Sequence, residues 1–249
     1  KRKSCDLLKE IFGLSPTPGG LVGATHRLAA KLAAEHKALQ GEVRHCDVLH
    51  SDETGWYVGA PGHTLWVFTN PQITLYRIVA HRTREQLQQI IGKDFPGVLV
   101  SNCLSIYDEA SPVQQKCCSH HLKAVSKARD SHPRNGEGFL NEVRLMLKCA
   151  MILKSAKEEV LPRTCRKSRL GLEQWAGRLL SQPRGDPNEE SVRMRLLKQQ
   201  DHLFTFLWHD AVGAANNLAE RQLRPAVIDR KLSCGNRTQK GAGTWEAMA

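Results

Sequence analysis

Long hydrophobic runs are absent from this sequence of 249 residues. No stretch approaches the roughly 18 consecutive apolar residues of a membrane-spanning helix. Residues 1–20 also lack the apolar core and the small-residue cleavage site of a secretory signal. These absences exclude a membrane-embedded or secreted class, so we predict a cytoplasmic protein. Because the chain starts at Lys1 rather than Met, we interpret it as part of a longer protein or as a truncated copy of one.

Paired cysteines are missing as well. None of the eight cysteines forms a C-x-x-C pair, which excludes a zinc ribbon and a thioredoxin-like motif. We expect the cysteines to be reduced, as is usual in the cytosol. The run "GNRTQKGAG" at 235–243 lacks the G-K-[ST] ending of a nucleotide-binding loop, so ATP binding is not predicted either.

Acidic residues are outnumbered by basic ones. The chain has 36 Lys and Arg against 25 Asp and Glu, a formal net charge of +11 and a sequence pI of about 9.4. This excess favours a polyanionic partner, with nucleic acid first and an anionic membrane surface second. With 41% hydrophobic residues, the chain can bury the core of one large domain or two small ones.

The hydrophobic pattern predicts an α/β protein. It indicates a helix over about 20–40, a strand over 46–49 that ends near Asp52, and a hairpin of 63–70 with 73–81. A helix over 83–95, a strand over 97–101, a short strand within 113–121 and a helix over about 120–130 follow. Helical patterns then dominate, with helices predicted over 141–160, 172–182, 189–210 and 214–225. We expect Pro225 to stop the last helix and residues 229–245 to form a basic loop.

This order of elements predicts four segments. They are a helical lead-in over 1–45, an α/β core over 46–130, a helical insertion over 131–210, and an acidic helix with a basic C-terminal part over 211–249.

Two carboxylates stand out as candidates for chemistry. Asp52 follows the first predicted strand, and Glu220 lies in a late helix. Each alone fits an ordinary cap or a solvated helix face. Together they fit metal-dependent phosphodiester hydrolysis, in which carboxylates hold divalent ions that activate water and stabilise the leaving oxygen.

Several motifs occur in one order along the chain. They are "HSDETGWYV", "LWVFTNPQITLYRI", "GVLVSNCLSIYD", "KCCSHHLKAVSKA", "NNLAERQLRPAVIDRK" and "GNRTQKGA". In this order they resemble the central region of the insertion-sequence-66 family of transposases. That resemblance implies a ribonuclease H-like mixed sheet flanked by helices, with a long helical insertion before the last catalytic helix.

The same resemblance implies the activity and the partners. It implies Mg²⁺ or Mn²⁺, with two ions in an intact site, and DNA as transposon ends and target. It also implies a homo-oligomer on DNA, possible companion proteins of the same element, no membrane partner, and association with the bacterial nucleoid. The amino-terminal DNA-binding region expected of that family is not in this chain.

The resemblance assigns the catalytic and metal-binding positions to Asp52, Asn102 and Glu220, and one of them departs from the family. The second aspartate of the family falls on Asn102. An amide has an acceptor oxygen but no charge, so we expect weaker binding of the second ion. Two hypotheses follow: a DNA transposase whose cleavage and strand transfer are impaired, or an inactive protein that still binds transposon ends.

Basic and polar residues flank these positions. The predicted DNA contacts are Arg221, Arg224, Arg230, Lys231, Arg237, Lys123 and Lys127, with His120 and Asn217 as possible accessory residues.

The cluster Cys117, Cys118, His120 and His121 could suggest zinc. Adjacent residues cannot easily face one ion, however, and no second pair lies at ligand spacing, so we do not favour zinc there.

Overall fold

The computed structural model describes residues 2–131 and 138–249, so part of the predicted helical insertion lies outside the described residues. Its central element is a sheet with the strand order β3-β2-β1-β4-β5. The strands are β1 (Val48–Val58), β2 (Ala60–Thr69), β3 (Thr74–Val79), β4 (Val98–Ser101) and β5 (Gln114–Lys116). β1, β2 and β3 are antiparallel, whereas β4 is parallel to both β1 and β5. The predicted α/β class is confirmed.

Helices cover both faces of the sheet and its β5 edge. They are α1 (Arg2–Phe12), α2 (Pro18–Lys31), α3 (Ala33–Val43), α4 (Arg84–Ile91), α5 (Cys118–Asp130), α6 (Phe139–Ser155), α7 (Pro162–Leu180), α8 (Pro187–Lys198), α9 (Thr205–Trp208), α10 (Asn217–Ser233) and α11 (Gln239–Met248). Mixed strand directions with helices on both faces are consistent with the ribonuclease H-like fold. Within the described residues, no helix combines the length and apolarity needed to cross a bilayer.

Three apolar clusters hold these layers together. On one face of the sheet, Trp56 packs with Leu223 and other residues of α10 and α11. On the opposite face, Trp66 packs with residues of α3 and α4. The third cluster joins Val100 and α5 to α6–α9 and contains the buried Met146. The helices α6–α9 therefore pack against the parallel half of the sheet.

A glycine allows β4 to start close to β1. A Cβ added at Gly97 would lie 2.1 Å from the carbonyl oxygen of Cys46 and 2.8 Å from that of Asp47, closer than real Cβ contacts. Immediately afterwards, β4 pairs in parallel with β1, with Val98 opposite Val48 and Val100 opposite His50. Gly97 thus permits the register that fixes where β4 ends relative to β1.

The predicted end of the first strand is wrong. β1 continues to Val58, so Asp52 lies within it rather than after it. The polar residues at 51–55 interrupt its apolar pattern, but they pair with β2 in an antiparallel ladder in which Asp52 faces Val67. Cross-strand pairing therefore overrides the weak local pattern.

Two predictions about the C-terminal part are also wrong. Pro225 does not stop α10, which continues to Ser233. The hydrogen bond that proline cannot donate is offset by the burial of Leu223 and Ala226 against the sheet. The predicted loop over 229–245 contains the end of α10 and most of α11, which begins after Thr238, whose hydroxyl accepts the Gly241 N–H at 3.1 Å.

Other helices differ from prediction in their bounds. The predicted helix over 20–40 is divided at Leu32, a single turn residue (φ −85°, ψ 0°) between α2 and α3. The predicted helix over 189–210 consists of α8, a 3₁₀ turn over Gln200–His202 and α9. α7 begins ten residues before the predicted 172, with Pro162 in its first turn. Helical periodicity alone does not show such breaks.

Candidate active site

Asp52, Asn102 and Glu220 come from three elements that meet near the centre of the sheet. The parallel ladder between β1 and β4 ends with His50 opposite Val100, and continuing that register puts Asp52 opposite Asn102. Glu220 lies in the first turn of α10, which packs on β1 and β2. The three predicted positions are therefore grouped although about 170 residues separate the first from the last.

Asn102 uses both ends of its amide within the protein. Its Oδ1 accepts the N–H of Leu104 at 3.0 Å, in the loop that follows β4. Its Nδ2 donates to Asp52 Oδ1 at 3.3 Å and to Glu53 Oε1 at 3.2 Å. Because the side chain is buried, these contacts replace its contacts with water. The amide therefore presents its N–H groups, rather than a free oxygen, to the carboxylates.

Glu53 is a fourth member of the site that sequence reasoning did not select. Its side chain is only 5% exposed and lies 3.5 Å from Arg82 Nη1. Tyr107, whose ring is fully buried, donates its hydroxyl to Glu53 Oε2 at 2.5 Å. Glu53 is the middle residue of the "DET" motif, next to Asp52. It was not selected because alternation along a strand predicts that the side chains of neighbouring residues point to opposite faces of the sheet. Both acids reach Asn102 because its amide lies just past the end of β4.

The electrostatic environment favours a proton on Asp52. Burial raises the pKa of Asp52 to about 6, and the nearby carboxylates of Glu53 and Glu220 act in the same direction. A positively charged His120 acts in the opposite direction. A group with these properties is well suited to bind a cation, because the cation relieves the repulsion between neighbouring carboxylates.

A second group of side chains adjoins the first. Cys117, His120 and Glu220 place a sulfur, an imidazole nitrogen and a carboxylate oxygen all within 4.8 Å of one another. Burial favours the neutral thiol, yet the pKa of Cys117 is lowered because the His120 side chain and the Asn216 N–H stabilise its thiolate. In turn, the Cys117 sulfur raises the pKa of His120 in spite of partial burial.

Asn216 fixes the start of α10 in this region. It is fully buried, and its Nδ2 donates to the backbone oxygen of Ser51 at 2.8 Å. Its Oδ1 lies 3.1 Å from Nδ1 of the buried His50. Its backbone N–H donates to Cys117 Sγ at 3.3 Å. Asn216 thus connects β1, the end of β5 and the helix that carries Glu220, whereas the predicted accessory residue Asn217 is exposed.

The other two members of the cysteine–histidine motif point elsewhere. Cys118 is fully buried in the apolar cluster shared with α6–α9. His121 is buried with its Nε2 3.4 Å from Cys103 Sγ, and burial lowers the pKa of His121 to about 3. The four residues therefore do not surround one ion, as the sequence analysis expected.

The predicted DNA-contacting residues divide into two sets. Most are exposed on α5, on α10 and in the segment after α10: Lys123, Lys127, Arg221, Arg224, Lys231 and Arg237. Arg230 is partly buried, and its guanidinium donates to Thr54 Oγ1 at 3.1 Å and to the Gly55 carbonyl. Arg230 therefore links α10 to β1.

Two other acidic residues near Asn102 are already paired. Asp108 Oδ2 lies 2.7 Å from Lys198 Nζ and its Oδ1 lies 3.8 Å from Lys116 Nζ. Glu109 is bound at 2.7 Å to Arg84. Neither replaces the missing carboxylate at position 102.

A mixed sheet with acidic residues on its central strand and on a helix that crosses beside it is the arrangement of ribonuclease H-like DDE transposases as a class. A family model described as "Transposase IS66 family" matches residues 2–244, and the chain belongs to this family. Membership implies a transposase function, DNA as a partner and use of a divalent metal in general. No curated protein and no solved structure matches the chain.

Proposed function

We propose that this chain is the core of an insertion-sequence transposase whose cleavage of element ends and strand transfer are impaired by Asn102. The observation that carries the proposal is the contact among Asp52, Glu53 and Asn102 beside Glu220: two acidic positions of a DDE site are present, and an amide occupies the third. Cytoplasmic localisation at the nucleoid, assembly as a homo-oligomer on DNA and dependence on companion proteins belong to the same proposal.

The residues fit one divalent ion better than two. Asp52 and Glu220 supply carboxylate oxygens, the donors that Mg²⁺ and Mn²⁺ prefer, and would hold one ion. Asn102 fits the role of a ligand to a second ion poorly, because its amide is neutral, its oxygen is directed at the Leu104 N–H and its nitrogen faces the acids. When both are bound, two such ions activate water and stabilise the leaving oxygen of a phosphodiester.

The protein's own groups would then bind and orient DNA. Lys123 and Lys127 lie one turn apart on α5, and Arg224 lies one turn after Glu220 on α10. All three are exposed, so their charges are available to phosphates. Asn216 would keep Glu220 in place through its bonds to β1 and Cys117.

The alternative function, a DNA-binding protein without cleavage, is supported by the same amide. A neutral amide at position 102, hydrogen-bonded to Leu104, Asp52 and Glu53, leaves the fold and the exposed basic residues intact while it removes one charge from the site. In this case the chain would occupy transposon ends and would not cut them.

A cleavage assay on transposon-end DNA with Mg²⁺ or Mn²⁺ tests the proposal. We expect Asn102→Asp to cleave at least about tenfold faster than the parent chain, since even changes next to a metal ligand alter activity by that factor. The double variant Asn102→Asp, Glu220→Gln is the matched control and should lose the gain. Equal cleavage by the parent and Asn102→Asp would contradict impairment, and absence of cleavage in both would favour the DNA-binding alternative.

A further inference from the structure

We propose that Cys117, His120 and Glu220 form a binding site for a transition metal ion of the Zn²⁺ class, which shares Glu220 with the Mg²⁺-type site at Asp52. The three side chains come from the residue between β5 and α5, the first turn of α5 and the first turn of α10. Their candidate ligand atoms already lie within 4.8 Å of one another. The proposal does not depend on DNA cleavage by this chain.

The spacing is close to what an ion requires. Zinc bonds of about 2.0–2.3 Å to sulfur, nitrogen and oxygen put tetrahedral ligands about 3.3–3.8 Å apart. From separations of at most 4.8 Å, the three atoms therefore need to approach by at most about 1.0–1.5 Å, which small side-chain rotations can supply. Three protein ligands also leave one coordination position open, as in zinc sites that bind water or substrate.

The donor set selects against Mg²⁺. A thiolate and an imidazole are soft or borderline ligands that favour Zn²⁺, Co²⁺ or similar ions, whereas Mg²⁺ prefers oxygen alone. A thiolate at Cys117 and a carboxylate at Glu220 carry two negative charges, which a divalent cation neutralises.

The surroundings of the site are consistent with a bound cation. His120 Nδ1 is buried and has no hydrogen-bond partner among the described residues, although buried polar atoms are normally satisfied. The Asn216 N–H donates to Cys117 Sγ at 3.3 Å. Contacts of this kind orient a metal ligand from outside the coordination sphere. Asn216 is itself fixed by Ser51 and His50, so the sulfur has a defined position.

Glu220 belongs to both sites, which has a functional consequence. When Zn²⁺ holds Glu220 together with Cys117 and His120, that carboxylate is less available to an ion at Asp52. We therefore expect the two kinds of ion to compete for Glu220.

Cobalt titration tests the proposal with a spectroscopic readout. The chelator-treated chain is titrated with Co²⁺, and a thiolate-to-cobalt charge-transfer band should grow to saturation at one equivalent. Zn²⁺ should abolish the band, and a large excess of Mg²⁺ should not. Failure to form the band at stoichiometric Co²⁺ would overturn the proposal, whatever the chain does to DNA.

Variants identify the ligands. Cys117→Ser should remove the band, whereas Cys103→Ser, which removes the other thiol close to a histidine, should keep it. Survival of the band in Cys117→Ser, or its loss in Cys103→Ser, would overturn the assignment. If Cys117→Ser does not fold, Glu220→Gln gives an independent test: it should lower Co²⁺ affinity at least about tenfold while the band remains. Unchanged affinity in Glu220→Gln would contradict the site.

Discussion

Restoring an aspartate at position 102 should destabilise the metal-free protein. In Asn102→Asp, one carboxylate oxygen can keep the Leu104 N–H, and the other replaces Nδ2 at 3.3 Å from Asp52 Oδ1 and 3.2 Å from Glu53 Oε1. Two hydrogen bonds to charged groups are lost, and two like-charge contacts replace them. At an effective dielectric constant of about 20, one contact at this distance costs about 5 kcal/mol.

Protonation limits this cost and makes it depend on pH. Three adjacent negative charges are so unfavourable that one of the three carboxyl groups stays protonated in the native state. Keeping that proton costs about 1.4 kcal/mol for each pH unit above the ordinary carboxyl pKa of about 4. The loss in the free energy of unfolding is therefore about 2–5 kcal/mol near pH 7.5 and at most about 1.5 kcal/mol near pH 5. A carboxyl whose pKa is raised on folding binds more protons in the native state than in the unfolded state. The free energy of unfolding therefore falls as the pH rises from the ordinary pKa towards the raised pKa.

Urea unfolding in the presence of a chelator and then of Mg²⁺ measures both effects. A ligand at a hundred times its Kd stabilises the native state by about 2.7 kcal/mol, and Asn102→Asp should gain more from Mg²⁺ than the parent. Asn188→Asp makes the same chemical change at an exposed position on α8 and should shift stability by less than about 0.5 kcal/mol. The reasoning is refuted if metal-free Asn102→Asp is as stable as the parent at pH 7.5, or if Mg²⁺ stabilises both equally.

Two further predictions concern the start of α10 and the DNA surface. Asn216→Ala should lower the free energy of unfolding by about 2–4 kcal/mol, because it leaves buried groups of His50 and Ser51 unpaired. The control Asn217→Ala, at an exposed position, should change it by less than about 0.5 kcal/mol. Thermal or urea unfolding of both variants measures the difference. Arg224→Ala should reduce the slope of log affinity for DNA against log salt concentration by about 1, as measured by fluorescence anisotropy. An equal reduction in the control Arg163→Ala on α7 would contradict a contact between Arg224 and a phosphate.

Much of the sheet was predictable because its strands carry strong local signals. The hairpin of β2 with β3 and the buried strand β4 are confirmed, since β-branched and aromatic runs with turn residues between them specify such strands. The extension of β1 was not predicted, because the polar residues at 51–55 interrupt its apolar pattern and gain their strand geometry by pairing with β2. α11 was missed for a similar reason: its sequence is rich in glycine, and its burial against Trp56 through Trp245 is a tertiary contact.

That Asp52, Asn102 and Glu220 lie close together was predictable, but their contacts were not. The motif order leads to Asp52, Asn102 and Glu220, and parallel pairing explains why the first two meet. No sequence pattern indicates that Cys117 and His120 meet Glu220, which is 100 positions or more further along the chain. Nor does it indicate that Glu53 reaches the same amide as Asp52, because this depends on the position of Asn102 just past the end of its strand.

The contacts of Asn102 explain how an amide can persist where a DDE enzyme uses an acid. A metal-dependent site gathers carboxylates that repel one another until a cation arrives, so it costs stability in the metal-free protein. Asn102 reverses the sign of that interaction, since its N–H groups attract the oxygens of Asp52 and Glu53 that a carboxylate would repel. Under the proposed function, we expect the amide to stabilise the fold and to weaken the chemistry through the same two hydrogen bonds. A loss of cleavage and a gain in metal-free stability should therefore appear together, and they should reverse together in Asn102→Asp.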